Sequence, residues 1–203
     1  MRVGLLGGTF NPPHLGHLVL AQEARAQLGL DEVLLVPARH PPHKAVPDDP
    51  GPERRLEMCE LATGQDGGVE ASRLELDLPA PSYTVATLRE LHARRPGDDL
   101  TFIVGGDMAA SLPEWQAPEE IVSLARLGVV ERSGDVRASI AGRVAAVDGA
   151  GERVDYVTMP RLDISSTDIR ARVAAGRPIR WLVPAPVAGY IAEHGLYRER
   201  VAG

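Results

Sequence analysis

Gly7-Gly8-Thr9-Phe10-Asn11-Pro12-Pro13-His14-Leu15-Gly16-His17 follows an apolar run, Val3 to Leu6, and opens a segment of helical apolar periodicity near residues 15 to 28. A strand that passes through a glycine-rich loop into a helix presents backbone N–H groups and a positive dipole end to an anion. Gly7 and Gly8 are expected to let the backbone turn and aim its N–H groups at a ligand. Pro12 and Pro13 keep the loop extended, so the helix should begin near Pro13 to Gly16. His14 and His17 would then share the first turn, with Gly16 between them admitting a bulky ligand. The loop reads as a phosphate site with cationic, donor-rich walls.

Three other readings of the loop fit less well. Two histidines at this spacing make half of a metal site, but a loop rich in glycine and proline is a poor rigid frame and no third ligand lies at a recognisable spacing. No Lys-Ser or Lys-Thr pair follows the glycines as in a Walker A loop, and their spacing does not fit GxGxxG. A purely structural strand-to-helix turn would not need both histidines.

With 203 residues and 44% hydrophobic content, the chain can bury a core as one domain. A net charge of −6 argues against a broad nucleic-acid surface. A polyanionic ligand must therefore be held by a local cluster or with the help of a divalent cation, and a small ligand fits better than DNA. The single cysteine, Cys59, has no internal disulfide partner and sits among Leu56, Met58 and Leu61, where a buried structural thiol is expected. A cytoplasmic location follows as the expectation, with no signal peptide ahead of Met1-Arg2-Val3 and no apolar run approaching a membrane span. Lys44 is the only lysine in a chain whose other basic residues are arginines and histidines.

Strand-like runs at Val3 to Leu6, Glu32 to Val36, Val69 to Leu76, Leu100 to Val104, Leu127 to Glu131 and Val154 to Thr158 alternate with helix-like segments. The latter lie near 15 to 28, 54 to 63, 84 to 95, 118 to 125 and 165 to 175. That rhythm predicts an α/β fold of βα units around a parallel sheet, its strands apolar enough to be covered on both faces. The proline-rich segment from Pro37 to Pro52 gathers His40, His43 and Lys44 and reads as a functional loop.

Late in the chain, Ile164-Ser165-Ser166-Thr167-Asp168-Ile169-Arg170 opens another helix. Ser165 and Asp168 suit a capping box, and the same capped N-terminus offers N–H, O–H and guanidinium donors to a phosphate. Val104-Gly105-Gly106-Asp107 ends a strand in an acidic residue that is either a ribose acceptor or a helix cap. Leu112-Pro113-Glu114-Trp115-Gln116 puts a tryptophan in a loop, as a core plug or as a stacking platform for a flat ring. Ser82 or Thr84, in Pro81-Ser82-Tyr83-Thr84, is placed to cap the helix that carries Val85, Leu88 and Leu91.

Together these residues resemble the bacterial nicotinate-nucleotide adenylyltransferases, within the nucleotidyltransferase superfamily that carries a GxFxPxHxGH loop and an ISSTxxR segment. The likeness takes in Gly7 to His17, Pro41 to Lys44, Ser82-Tyr83-Thr84, Gly105-Gly106-Asp107, Trp115, Ile164 to Arg170, and the ending Tyr190-Ile191 to His194-Gly195-Leu196-Tyr197. Asn11 stands where that family often has aspartate, and Gln116 where an aromatic residue is common.

The resemblance implies a Rossmann-like parallel sheet with helices on both faces, of the nucleotidyltransferase type. Residues 1–203 would form a single domain, with helices from about 165 packed beside the sheet. It implies attack by the phosphate of nicotinate mononucleotide on the α-phosphorus of ATP, giving nicotinate adenine dinucleotide and pyrophosphate. His14, His17 and Arg170 would stabilise charge on the triphosphate. Gly7, Gly8, Thr9, Phe10, Gly16, Ser165, Ser166 and Thr167, with Gly105 and Asp107, would hold ATP. Lys44, Ser82, Tyr83, Thr84, Trp115 and Gln116 would hold the mononucleotide. Mg²⁺ would arrive on the ATP phosphates rather than on protein ligands, no nucleic acid or membrane partner is implied, and a homo-oligomer is compatible. The alternatives are a sister enzyme such as pantetheine-phosphate adenylyltransferase and a nucleotide-binding regulator without turnover.

Overall fold

The computed structural model describes residues 1–40, 48–64, 67–131 and 137–198. Six strands form one sheet: β1 (Arg2–Gly8), β2 (Glu32–Pro37), β3 (Val69–Ala71), β4 (Asp99–Gly105), β5 (Arg126–Glu131) and β6 (Val154–Thr158). Their order is β3-β2-β1-β4-β5-β6, and every neighbouring pair is parallel. Leu6 of β1 lies opposite Leu35 on one side and Ile103 on the other. The chain winds outward from β1 to β3 and returns to add β4 on the opposite side of β1. The order therefore reverses between β1 and β4, and a crevice opens beyond their carboxyl ends, where parallel sheets bind ligands.

The helices are α1 (Leu15–Leu28), α2 (Pro52–Thr63), α3 (Leu74–Asp77), α4 (Thr84–Arg94), α5 (Gly106–Ala110), α6 (Pro118–Leu124), α7 (Arg137–Val144), α8 (Ser166–Ala174) and α9 (Ala185–Glu193). Proline at the first position starts α2 and α6, where a missing N–H costs nothing. Alternation along the strands divides the core. Val3, Leu5, Val36, Leu127 and Val129 meet Leu88 of α4, Ile121 of α6 and Ile140 of α7 on one face. Leu6, Val33, Leu35, Ile103 and Val157 meet Ala21 and Ala24 of α1 and Cys59 of α2 on the other. Cys59 is fully buried, and desolvation pushes its thiol far above the ordinary range, as expected of a structural cysteine. A third cluster joins Met58 of α2 to Ile169, Val183, Val187, Ile191, Leu196 and Tyr197, so the C-terminal helices bury against α2. Among the described residues, no helix is long and apolar enough to cross a membrane.

The expected strand from Val69 to Leu76 is cut short. Pairing ends at Ala71, and Leu74–Asp77 closes a helical turn with Leu76 and Asp77 donating to the Arg73 carbonyl. Leu74, Glu75 and Leu76 are all buried, so the apparent apolar alternation conceals an inward-facing acid. Helices α5, α7 and α9 add to the elements read from sequence. Ile140 and Val144 mark only two core positions in α7, and the prolines at the start of α9 look like loop residues.

Candidate active site

The glycine-rich loop turns later than expected. Gly7 and Gly8 complete β1, and the left-handed turn falls on Phe10, with φ of 50°. Phe10 is buried, and Gly8 makes room for it: a Cβ there would sit 3.0 Å from the Phe10 ring. Such a conformation is costly for an aromatic residue, and packing holds it in place. His14 is the extended N-cap of α1, and its backbone N–H donates to His17 Nδ1 at 3.2 Å. A ring nitrogen that accepts carries no proton, so the hydrogen of a neutral His17 is on Nε2. The two imidazoles stack with centroids 3.7 Å apart, and Phe10 meets His17 edge-on at 4.9 Å. Gly16 serves the His14 ring, because a Cβ there would lie 3.1 Å from it.

The second motif reaches this loop across the whole chain. Ser165 caps α8, its hydroxyl oxygen accepting from the Asp168 N–H at 3.0 Å while donating to Asp168 Oδ2 at 2.6 Å. Ser166 Oγ donates to the Pro12 carbonyl at 2.8 Å, and Arg170 Nη1 to the Asn11 carbonyl at 2.8 Å. With these two serine protons and the Asp168 N–H committed, the donors left at this helix start are the N–H groups ahead of Asp168, the Thr167 hydroxyl, whose oxygen accepts from Arg170 Nη2 at 3.4 Å, and the other hydrogens of Arg170. Arg170 Nε is buried without a partner among the described residues.

These elements enclose a cleft of about 330 Å³ lined by Thr9, Phe10, His14, Gly16 and His17 on one side and Ser165, Ser166, Thr167 and Arg170 on the other. Leu20, Met159, Leu162 and Ile164 add an apolar wall that the motifs alone do not disclose. A larger cavity of about 720 Å³ opens at the amino ends of the strands, beside Arg2, Asp99 and Arg126. It lies at the wrong edge of the sheet for the motifs, and its Arg126 is already paired with Asp155 at 2.7 Å.

The remaining candidates lie across β1 and β4. Trp115 follows a 3₁₀ turn (Leu112–Glu114), donates from Nε1 to Ser111 Oγ at 2.9 Å, and packs edge-on against Phe102 with centroids 5.9 Å apart. It is half-buried, which combines an anchored edge with an accessible remainder, and Gln116 beside it is exposed. Gly105 is the N-cap of α5 and Asp107 is exposed in its first turn, so Asp107 is not the cap. Neither Ser82 nor Thr84 caps α4: Tyr83 holds the N-cap position and Thr84 opens the helix. Ser82 Oγ instead accepts the N–H groups of Arg39 and His40, at 3.0 and 3.2 Å, tying this segment to the end of β2. Lys44, with Pro41 to His43, lies outside the described residues.

Sequence reading missed Arg55. Its side chain is fully buried, donating to the carbonyls of Thr9 (2.9 Å), Ala38 (2.7 Å) and Arg39 (3.3 Å) and pairing with Asp49 at 2.9 Å. The signal was present, since Arg55 shares the helical stripe of Met58 and Cys59, a core face where a lone arginine needs acceptors.

A cleft that joins a glycine-rich loop and two helix N-termini at the reversal point of a doubly wound sheet defines a nucleotide-binding α/β protein. The model of the Cytidylyltransferase-like family matches residues 5–172. Proteins named "Probable nicotinate-nucleotide adenylyltransferase" from a Roseiflexus species and from Thermus thermophilus are each 45% identical to this chain. Their alignments cover 97% and 98% of this chain, and 98% and 100% of the relatives. The chain belongs to the nicotinate-nucleotide adenylyltransferase family. Its fold matches that of the Plasmodium falciparum nicotinic acid mononucleotide adenylyltransferase complexed with NaAD, with a TM-score of 0.77 at 18% identity over 97% of each chain.

Proposed function

We propose that the cleft transfers the adenylyl group of ATP to nicotinate mononucleotide. A phosphate oxygen of the mononucleotide attacks the α-phosphorus, the bond from that phosphorus to the bridging oxygen breaks, and pyrophosphate leaves. The observation that carries this reading is the convergence of His14, His17, the α8 N-terminus and Arg170 on one cleft at the sheet's reversal point. The attacking phosphate is already anionic, so no protein nucleophile or base is required, and the work falls to positioning and to cancelling charge.

In this reading His14, His17 through its Nε2–H, and Arg170 face the oxygens on which charge builds. The N–H groups at the start of α8 and the Thr167 hydroxyl hold the β and γ phosphates, together with Ser165 and Ser166, which fix that helix end. The glycine-rich loop, with Gly7, Gly8, Thr9, Phe10 and Gly16, shapes the triphosphate wall, and Gly105 and Asp107 attend the nucleotide from the end of β4. Among the described residues, the lining of this cleft carries no carboxylate. That donor set suits a divalent ion, Mg²⁺ in our reading, held by triphosphate oxygens, where it would neutralise charge as pyrophosphate departs. Trp115, Ser82, Tyr83, Thr84 and Gln116 receive the pyridine side of the mononucleotide and Lys44 its phosphate. We take residues 1–203 to act as one nucleotidyltransferase unit in the cytoplasm, with neither nucleic acid nor membrane as a partner.

Chromatography of a mixture of protein, ATP, Mg²⁺ and nicotinate mononucleotide should show nicotinate adenine dinucleotide and an equivalent of pyrophosphate. Turnover of phosphopantetheine in its place, or binding of ATP without turnover of either acceptor, would refute the assignment.

A further inference from the structure

Asn11 and Tyr197 are 186 positions apart, yet the Tyr197 hydroxyl donates to Asn11 Oδ1 at 2.6 Å in a buried contact. Asn11 is 2% exposed and lines the cleft. Its backbone carbonyl, on the same residue, accepts from Arg170 Nη1. One loop residue is thus gripped twice by the C-terminal segment, on its main chain by α8 and on its side chain by the residue that ends the C-terminal cluster. Two further bonds join the same partners: Ser166 Oγ to the Pro12 carbonyl, and the Leu15 N–H to the Leu182 carbonyl at 3.0 Å.

Tyr197 is itself over-determined. It sits in the left-handed region with φ of 62°, is 9% exposed, and packs with Met58, Ile191 and Leu196. A bulky residue adopts that backbone conformation only where its surroundings enforce it. Burial also pushes its phenol well above the ordinary range, so the hydroxyl is a donor at neutral pH.

We propose that Tyr197 is a positioning residue for adenylyl transfer: through Asn11 it sets the loop that carries His14 and His17 against α8 and Arg170. The inference rests on the adenylyl-transfer reading above. Tyr197 touches neither substrate in this scheme. Its effect passes through Asn11, two prolines and the N-cap of α1, a short and stiff path. Donors that stabilise a transition state act only if they stand at the right place before the reaction. An error of about 1 Å in such a frame costs up to roughly a hundredfold in rate.

The test compares Tyr197→Phe, Asn11→Ala, Asn11→Asp and the Tyr197→Phe/Asn11→Ala double variant by steady-state kinetics and thermal melting. Tyr197→Phe removes one oxygen and leaves the ring in its packing. It is expected to lower kcat about ten- to a hundredfold, with both KM values within about twofold of wild type. Asn11→Ala should lose as much, the double variant should lose no more than either single one, and Asn11→Asp, which keeps an acceptor oxygen, should recover most of the loss. Unchanged kcat in Tyr197→Phe would overturn the proposal. So would losses that multiply in the double variant, or losses in kcat and both KM values that follow a fall in melting temperature. If the wild-type protein forms no dinucleotide, the functional reading itself fails, which is a separate result.

Discussion

Replacing Arg55 by methionine keeps much of the side chain's volume and removes its charge and every donor. Three of its bonds, to Thr9, Ala38 and Asp49, are 2.9 Å or shorter, and the fourth, at 3.3 Å to Arg39, is weaker. Hydrogen bonds to a charged group contribute about 1.5–3 kcal/mol each, so the three short bonds alone give a gross loss of roughly 4.5–9 kcal/mol. Two effects reduce it. The guanidinium no longer has to be desolvated, which returns several kcal/mol, and Asp49, 28% exposed, regains water. A net loss of about 3–5 kcal/mol remains, in line with removing one partner of a buried ion pair. For a chain of this length that lowers the melting temperature by roughly 6–20 °C.

The consequence for activity follows from what Arg55 joins. Thr9 lines the cleft proposed for adenylyl transfer, whereas Ala38 and Arg39 begin the segment that leads to Lys44. The variant should therefore lose kcat/KM for both substrates at a temperature where it is still folded. Arg55→Lys, which keeps the charge but not the planar fork, should fall between the two. Differential scanning calorimetry and initial-rate kinetics at 20–30 °C below the measured midpoint, roughly the margin that keeps such a domain folded, decide the matter. A midpoint within about 2 °C of wild type would refute the claim that this arginine holds the two loops together.

Other outcomes follow from the same geometry. His17→Ala should lower kcat by about two to three orders of magnitude with little change in KM for ATP, as expected when a preorganised donor is lost, and rapid-quench product formation measures it. Trp115→Ala should raise KM for nicotinate mononucleotide by about 5- to 150-fold, the equivalent of roughly 1–3 kcal/mol of ring stacking, and leave KM for ATP within about twofold. Because Trp115 also packs on Phe102, the variant should melt at a lower temperature; equal rises in both KM values would assign it a packing role alone. Glu75 is buried, and desolvation raises its carboxyl above the ordinary value despite hydrogen bonds from Thr87 and Ser82. A group whose folded pKa is raised contributes stability that is complete below its unfolded pKa and is lost as pH rises through the folded value. Glu75→Gln should therefore gain stability over wild type near neutral pH and lose that advantage near pH 4, about the unfolded carboxyl value. A constant difference across that range in urea titrations would contradict the account.

The parallel sheet was legible because strand and helix periodicities alternate from Val3 to Glu131, and both motifs read as phosphate sites lie between a strand and the helix that follows it. What escaped depends on contacts that sequence spacing does not encode. Glu75 mimics the polar position of an alternating strand, yet it turns inward toward Thr87. Ser82 looks like a helix cap, and its hydroxyl is taken by backbone N–H groups 42 and 43 residues away. Gly16 lines the cleft, and its missing Cβ also makes room for the His14 ring, a second role that spacing does not disclose. Tyr197 and Arg55 matter through partners brought close only by the tertiary fold. In each case the contact that decides the residue's role joins positions far apart in sequence or depends on a turn that only the folded chain makes.

The topology also constrains how the two substrates can meet. In-line displacement requires the entering oxygen and the departing pyrophosphate on opposite sides of the α-phosphorus. The sheet reverses between β1 and β4, so α1 covers one face of that junction while the α4 to α6 region, with Trp115, covers the other. A triphosphate held by the α1 and α8 N-termini, and a mononucleotide held beside Trp115, would approach across the carboxyl ends of the same two strands from opposite faces. In that arrangement the reacting phosphorus would lie over the strand ends, next to the loop held by contacts from Tyr197, Arg170 and Arg55. A protein that gains its rate from placement has most to lose when that loop shifts. It is therefore consistent that a fully buried arginine and a tyrosine in a strained backbone conformation are both committed to holding it.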